Sequence, residues 1–134
     1  MNSNLYASVI GILAFSIMAT VVLASRSTEQ LITSKDNGKE ITILQGETLR
    51  IEMECPSGTG YIWEFRRLDL QYLEVIKTVT VEPSTDHIVG SLIKKIWHIK
   101  TKKPGSSAIN MIYKRPWESD DQARDKFQVK IVIK

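Results

Sequence analysis

Apolar and polar side chains alternate along most of the chain after residue 25. Leu49, Ile51 and Met53 alternate with charged residues, and residues 127–133 alternate almost to the end of the chain. Successive side chains of a β-strand point to opposite faces, so this period of two predicts strands with one buried face. After residue 25 no stretch shows the sustained 3.6-residue repeat of an amphipathic helix.

The alternating runs are short, and turn-forming residues such as Asp36-Asn37-Gly38 separate them. We predict strands at residues 31–33, 40–44, 49–53, 61–65, 72–81, 92–99, 108–113 and 127–133. Seven or eight strands at intervals of about 8–12 residues favour an all-β, immunoglobulin-like β-sandwich. The Cys…Trp…Cys spacing of true immunoglobulin domains is absent, so the pattern implies the architecture alone.

The first stretch has a different character, because residues 5–24 carry no charged side chain. About 20 apolar residues can span a bilayer as a helix. We therefore predict an N-terminal hydrophobic helix, a signal peptide or a signal anchor, in residues 1–25, followed by the β-sandwich domain in residues 26–134. Small residues at Ala24 and Ser25 favour a cleaved signal, and the missing basic n-region leaves the anchor open.

Either form of this segment predicts that the domain lies outside the cytoplasm, secreted or periplasmic, or attached to a membrane through residues 5–24. Arg26 is a weak cue in the opposite direction, because positive charge prefers the cytoplasmic side. We treat residues 25–30 as the linker between this segment and the domain.

The 134 residues, 43% of them hydrophobic and 25% charged, suit a single globular domain. The net charge is +3, both signs are mixed, and the longest cationic clusters are pairs. Nucleic-acid binding is not indicated, since it calls for clustered Lys and Arg and a recognisable motif. A single cysteine excludes an internal disulfide, so the fold must depend on core burial. We expect a monomer.

Catalytic and metal chemistry finds little support. A cysteine nucleophile with a histidine base could come only from Cys55 with His87 or His98. His87 is better interpreted as a solvated loop residue, and His98 as a residue of a sheet. Two His and one Cys without close spacing do not predict a zinc site. Asp120 and Asp121 are typical of a solvated acidic turn, without the pattern of a calcium loop. We predict neither an enzyme nor a cofactor.

Two loops stand out instead. The first follows a strand and contains Pro, Ser, Thr and two Gly, in the run Cys-Pro-Ser-Gly-Thr-Gly-Tyr-Ile-Trp from Cys55 to Trp63. The second is Lys114-Arg115-Pro116-Trp117-Glu118. Gly permits positive φ and Pro fixes φ, so both loops are predicted to be shaped turns. We expect the two loops to lie together and to contact another protein.

The residues alone leave two interpretations of each loop. Trp117 is either a lid folded over one end of the sandwich or an exposed anchor, since Trp is common among hot-spot residues at interfaces. The first loop is either an ordinary turn or part of the same binding surface.

The two loops resemble those of the chagasin-like inhibitors of cysteine peptidases, an immunoglobulin-like family. That family carries an Asn-Pro-Thr-Thr-Gly-Tyr loop, a Gly-x-Gly-Gly loop and an Arg-Pro-Trp loop, in that order. Gly60-Tyr61, preceded by Pro56 and Thr59, is similar to the first loop, and Arg115-Pro116-Trp117 matches the third.

This chain departs from the family pattern in three places. Cys55 stands where the family has Asn, and Gly58 is in the position of a one-residue insertion. The middle loop survives only as Gly90 in the run Gly90-Ser91-Leu92-Ile93.

The resemblance implies a tight, reversible, non-covalent inhibitor of papain-like, cathepsin-type cysteine peptidases, with three loops at one end of the sandwich filling the active-site cleft. Thr59 and Gly60 would approach the catalytic Cys-His pair of the peptidase, and Trp117 would pack on the primed side. Arg115 would support its loop or pair with a carboxylate. The peptidase-binding residues it implies are Pro56, Ser57, Gly58, Thr59, Gly60, Gly90, Ser91, Arg115, Pro116 and Trp117.

Other classes stay open at this point. A generic extracytoplasmic binding or adhesion module could use the same sandwich with its end loops aimed at a different protein. A cysteine peptidase that uses Cys55 is a remote third class. Cys55 also raises the possibility of disulfide exchange with the thiolate of a target enzyme.

Overall fold

The computed structural model describes residues 28–82 and 90–134. The predicted N-terminal hydrophobic helix, as signal peptide or anchor, lies outside the described residues, and so does His87. Within the described residues, no helix is both long and apolar enough to cross a membrane.

Eight β-strands and two single-turn 3₁₀ helices form the described part of the chain. The strands are β1 (Glu29–Thr33), β2 (Glu40–Ile43), β3 (Thr48–Pro56), β4 (Ile62–Leu68), β5 (Leu73–Val81), β6 (Leu92–Thr101), β7 (Gly105–Lys114) and β8 (Asp125–Ile133). The 3₁₀ helices are Ser34–Asp36 and Asp120–Gln122. The all-β prediction is confirmed, and each predicted strand overlaps one observed strand.

The strands form two four-stranded sheets. Sheet 1 has the order β1-β3-β6-β5, and sheet 2 has the order β2-β8-β7-β4. Two pairs are parallel, β1 with β3 and β2 with β8, and the other neighbours are antiparallel. This order corresponds to strands A-B-E-D and G-F-C of the immunoglobulin fold. The first strand of that fold is here divided into β1 and β2, one in each sheet.

The alternation in the sequence places one face of the long strands in the core between the sheets. In β3 the side chains of Leu49, Ile51 and Met53 are at most 1% exposed. The inward residues of β8, together with Trp63 and Trp97, pack into the same cluster. Burying a large aliphatic side chain stabilises the folded state by roughly 1.5–3 kcal/mol. One cluster of this size holds the sheets together without a disulfide.

Three boundaries differ from the predictions. The predicted linker, residues 25–30, overlaps β1, because Glu29 and Gln30 pair with the start of β3. The strand predicted to begin at residue 108 begins at Gly105, which pairs with Ile133. Pro56 is the last residue of β3 rather than part of the loop, and it pairs with Leu92.

Three connections lie at one end of the sandwich, which we call the loop end. They are the β3–β4 loop (residues 57–61), the β5–β6 loop (residues 82–91, with 83–89 outside the described residues) and the β7–β8 loop (residues 115–124). The register places them together, because Pro56 pairs with Leu92 and Ile62 pairs with Lys114.

Candidate functional site

The β3–β4 loop is a tight turn held by its own hydrogen bonds. Thr59 Oγ1 donates to the carbonyl oxygen of Pro56 at 3.1 Å and accepts from the backbone N–H of Tyr61 at 3.4 Å. Gly58 and Gly60 have φ values of 75° and 79°, in the left-handed region that glycine adopts most easily. The residue types of this loop therefore specify its shape locally.

Hydrogen bonds join this loop to the β5–β6 loop. The backbone N–H of Ser57 donates to the carbonyl oxygen of Ser91 at 2.8 Å, and Gly90 N–H donates to the carbonyl oxygen of Ser57 at 3.1 Å. The two serine hydroxyls lie 3.2 Å apart. These contacts extend the β3–β6 ladder past the ends of both strands, so Gly90 and Ser91 are held against the β3–β4 loop.

The β7–β8 loop begins with a turn made by Arg115, Pro116, Trp117 and Glu118. The backbone N–H of Glu118 donates to the carbonyl oxygen of Arg115 at 3.0 Å, and a Glu118 carboxylate oxygen accepts from the backbone N–H of Arg115 at 3.2 Å. Pro116 occupies the second position of the turn, where its fixed φ is favourable. Trp117 is 74% exposed. The lid interpretation is therefore wrong, and Trp117 has the exposure of an anchor.

The rest of this loop is fastened to sheet 2. Lys114 is 5% exposed, and its ammonium group donates to the carbonyl oxygen of Glu118 and lies 3.5 Å from the carboxylate of Asp120. Both oxygens of Asp120 accept from Arg66, at 2.6 and 2.7 Å. This pairing lowers the pKa of Asp120 below its usual range and raises the pKa of Arg66.

Both carboxylate oxygens of Asp120 are thus bound by Arg66, so this carboxylate is a poor candidate for a calcium ligand. Across residues 28–82 and 90–134 there is no group of three or more His, Cys, Asp or Glu residues that could hold a metal ion.

Arg115 connects the β7–β8 loop to the β3–β4 loop. Its Nε donates to the carbonyl oxygen of Thr59 at 3.0 Å, and its guanidinium carbon lies 4.5 Å from the ring centre of Tyr61. The same carbon is 5.9 Å from the ring of Trp117. Stacking on aromatic faces and donation from a planar fork are contacts that Arg makes and Lys cannot reproduce. The predicted meeting of the two loops is confirmed by these contacts.

Gly60 lies against the Trp117 ring. A Cβ atom placed on Gly60 would be 2.9 Å from Cη2 of the Trp117 indole, closer than carbon atoms approach without a shift. Gly60 is thus required twice, for its positive φ and for the space that the indole occupies. Thr59, Gly60, Arg115 and Trp117 form one continuous surface at the tip of the loop end.

Aromatic side chains support this tip from below. The ring centre of Tyr113 lies 5.2 Å from that of Tyr61 and 5.1 Å from that of Trp63. Trp63 is buried, as expected for a residue that anchors the loop, and burial raises the pKa of Tyr113. The guanidinium carbon of Arg124 lies 5.4 Å from the Tyr61 ring centre on the same tip.

Cys55 lies beneath this surface and is 4% exposed. Burial raises the pKa of its thiol, because an apolar surrounding disfavours the thiolate. His98 is on the outward face of sheet 1, where its Nδ1 lies 2.5 Å from Glu29, whereas Cys55 is buried on the opposite face, in alternation with Ile51 and Met53. His98 and Cys55 therefore cannot act as a catalytic pair. A buried, protonated thiol is also a poor nucleophile for disulfide exchange.

We expect Cys55 in the folded protein to react with 5,5′-dithiobis(2-nitrobenzoic acid) at least tenfold more slowly than in urea-unfolded chain at pH 8, because the thiolate and access are both restricted. The pH at which its reactivity rises should be higher in the folded protein than the value of about 8.5 for a free thiol. Rapid labelling of the folded protein would contradict this burial. A Cys55→Ala variant should inhibit its target as the unchanged chain does.

Several residues that build the site were not found in the sequence. Lys114 stood out only as the start of the loop, Arg66 belongs to one of the cationic pairs, and neither pattern indicated burial or a partner. Ser57 and Gly90 were named, but nothing local predicted that they bond to each other. A lysine or arginine near a strand end is usually solvated, so only its observed partners reveal its role.

Comparisons with known proteins agree on one family. A sequence model described as the chagasin family of peptidase inhibitors, I42, matches residues 42–131. Chagasin of Trypanosoma cruzi is 26% identical over 102 residues, which cover 73% of this chain and 92% of that protein. Amoebiasin-2 of Entamoeba histolytica is 22% identical over 120 residues, covering 90% of this chain and 98% of that protein.

The fold has solved counterparts as well. The crystal structure of a cysteine protease inhibitor from Entamoeba histolytica superposes with a TM-score of 0.71, at 21% identity, over 79% of this chain and 96% of that one.

Proposed function

The chain belongs to the chagasin family of peptidase inhibitors, and we propose that it is a tight, reversible, non-covalent inhibitor of papain-like cysteine peptidases. The family consists of inhibitors, so the chain is not an enzyme. The observation that carries the proposal is the joining of the loop tips into one surface, through the bond from Arg115 to Thr59 and the contact of Gly60 with Trp117.

The tip of the β3–β4 loop enters the active-site cleft and excludes substrate. Thr59 and Gly60 come closest to the catalytic Cys-His pair, because a residue without a side chain lets the backbone approach where a Cβ would clash. Gly58 and Gly60 are both exposed, so backbone at the tip is available for contact.

Trp117 packs on the primed side of the cleft as the main anchor. Its exposed ring is already supported by Gly60 and Arg115, so little side-chain freedom is lost on binding. Pro116 and Arg115 bind beside it. On the other side of the tip, Gly90 and Ser91 border the cleft, held by Ser57.

The loop resists cleavage because its backbone is not presented as a substrate. The carbonyl oxygen of Thr59 accepts from Arg115, and that of Pro56 accepts from Thr59 Oγ1. An attacking thiolate needs an extended segment whose carbonyl can turn into an oxyanion hole. Breaking these bonds and reversing two positive φ values would precede any attack, so the peptidase is held without hydrolysis.

The proposal is tested with the complete chain, purified in mild non-ionic detergent, against active-site-titrated papain in reducing buffer. We expect stoichiometric loss of activity, recovery on dilution, and an inhibitor of unchanged mass afterwards. Trypsin serves as the control and should keep its activity. Unchanged papain and cathepsin L activity in an excess of the chain would reject the proposal and favour a binding module for a different protein.

We infer from residues 5–24 that the domain acts outside the cytoplasm, either released or attached to a membrane through that segment. A folded domain without disulfides, held by one core cluster, is compatible with either arrangement.

A further inference from the structure

An apolar surface adjoins the loop end on the outward face of sheet 1. It consists of Pro56, Val81 and Leu92, and we call it the apolar flank. Val81 is 47% exposed and Leu92 is 57% exposed, both high values for large aliphatic side chains in regular strands. Trp117 is the other large exposed hydrophobic residue described at the loop end, whereas Leu44 and Leu70 lie near the opposite end.

The register places the three residues on one face of sheet 1, with Pro56 directly opposite Leu92 and Val81 diagonal to it. Leu92 pairs with Pro56 across β3 and β6, and Val81 pairs with Lys94 across β5 and β6. Since side chains alternate along a strand, the residue two positions from Lys94, Leu92, shares its face with Val81. Two charged residues adjoin the flank on this face: Lys94, whose ammonium group bonds to Glu52 at 3.0 Å, and Glu54, which is exposed and pairs with Lys94 in the ladder.

The apolar flank is rigidly continuous with the proposed inhibitory tip. Pro56 precedes Ser57 directly, and the backbone bonds between Ser57 and Ser91 lie between the flank and the β3–β4 loop. A protein that takes the loop tip into its cleft therefore brings the rim of that cleft over Leu92.

The small size of the tip also indicates that a bound peptidase would contact surface beside it. The ten residues assigned to peptidase binding are fewer than the roughly 20–30 residues per partner of a standard stable protein–protein interface. A tight complex needs additional surface beside the tip, and an exposed apolar patch near an interface is typical of such surface.

We propose that the apolar flank is a second contact surface for the same peptidase, which binds apolar side chains on the rim of the cleft and contributes to the choice among papain-like enzymes. This inference rests on the proposed function. Leu92 is its central residue, because it is the most exposed of the three and directly follows Ser91, which bonds to Ser57 of the β3–β4 loop.

The test compares Leu92→Asp with Leu44→Asp in the complete chain. Both leucines are 57% exposed, and Leu44 lies at the opposite end, so the two substitutions place the same charge at equally solvated sites. Inhibition constants are measured with papain and with cathepsin L. Leu92→Asp should weaken inhibition of at least one of them by about tenfold or more, whereas Leu44→Asp should leave both constants within about twofold. Val81→Asp should act in the same direction as Leu92→Asp.

Melting temperatures and size-exclusion chromatography accompany these measurements. Equal inhibition constants for Leu92→Asp and Leu44→Asp would overturn the proposal that the apolar flank contacts the peptidase. Weaker inhibition by Trp117→Ala in the same series would still support the proposed function. A wild-type dimer that Leu92→Asp converts to a monomer without loss of inhibition would also overturn it, by assigning the flank to self-association. Absence of inhibition by the wild-type chain would instead reject the proposed function.

Discussion

Trp117→Ala should weaken inhibition of papain by about 2 kcal/mol or more, roughly thirtyfold, the loss expected for a hot-spot residue. The stability of the folded protein should hardly change. Trp117 is 74% exposed and contributes little to the core, so its removal should alter the free energy of unfolding by no more than about 0.5 kcal/mol. Titration of papain and thermal unfolding measure the two effects separately.

Leu70→Ala is a suitable control for this prediction. Leu70 is 64% exposed and lies in the β4–β5 connection, at the end of the sandwich away from the loop end. Its removal takes away exposed apolar surface without touching the tip, and inhibition should stay unchanged. If Trp117→Ala also inhibits like the unchanged chain, Trp117 is not an anchor.

Gly60→Ala should weaken inhibition of papain by about tenfold or more, because the new methyl group and the Trp117 ring cannot both keep their places. The Cβ would lie 2.9 Å from Cη2 of Trp117, and the indole is the group that can move, since it is the exposed end of a side chain. The substitution also places alanine at φ +79°, which costs about 1–2 kcal/mol of stability.

Gly46→Ala separates these two consequences. Gly46 has φ +84° and no atom within 4 Å of an added Cβ, and it lies in the β2–β3 turn at the opposite end. Both variants should lose similar stability in thermal unfolding, but only Gly60→Ala should lose inhibition.

A double substitution then tests the cause. In a chain that already carries Trp117→Ala, adding Gly60→Ala should weaken inhibition less than it does alone, because the part of the loss that comes from displacing the indole is already gone, and the remainder measures the close approach of the Gly60 backbone to the peptidase. An equal loss in both backgrounds would show that the close approach of the backbone at Gly60, and not the position of the indole, is what matters.

The strands could be predicted because their signal is local. In β3 and β8 every second residue is apolar, and the core side of each was correct. The ends were less certain, since Gln30 and Gly105 look like linker and turn residues but complete a ladder with a distant strand. Residues 31–33 and 40–44 were both predicted as strands, and nothing in them indicated that they would join different sheets.

In the candidate site, too, local features could be predicted from the sequence and contacts between distant residues could not. The shapes of the two main loops follow from their Gly, Pro and Thr residues, and the exposure of Trp117 decided between the two interpretations that its sequence allowed. The partner of Arg115 could not be predicted, because its bond to Thr59 joins residues 56 positions apart. Leu92 was named only as part of a degenerate motif, and its exposure depends on which strands cover it.

The sequence by itself determined the all-β class, the inward face of the long strands and the turn chemistry of the loops, because each depends on a residue and its immediate neighbours. Only the tertiary structure decided the split of the first strand between two sheets, the fastening of the β7–β8 loop through Lys114, and the meeting of Gly60 with Trp117. These features depend on pairing between distant segments, which is set by the packing of the whole core and not by the pattern of any one stretch.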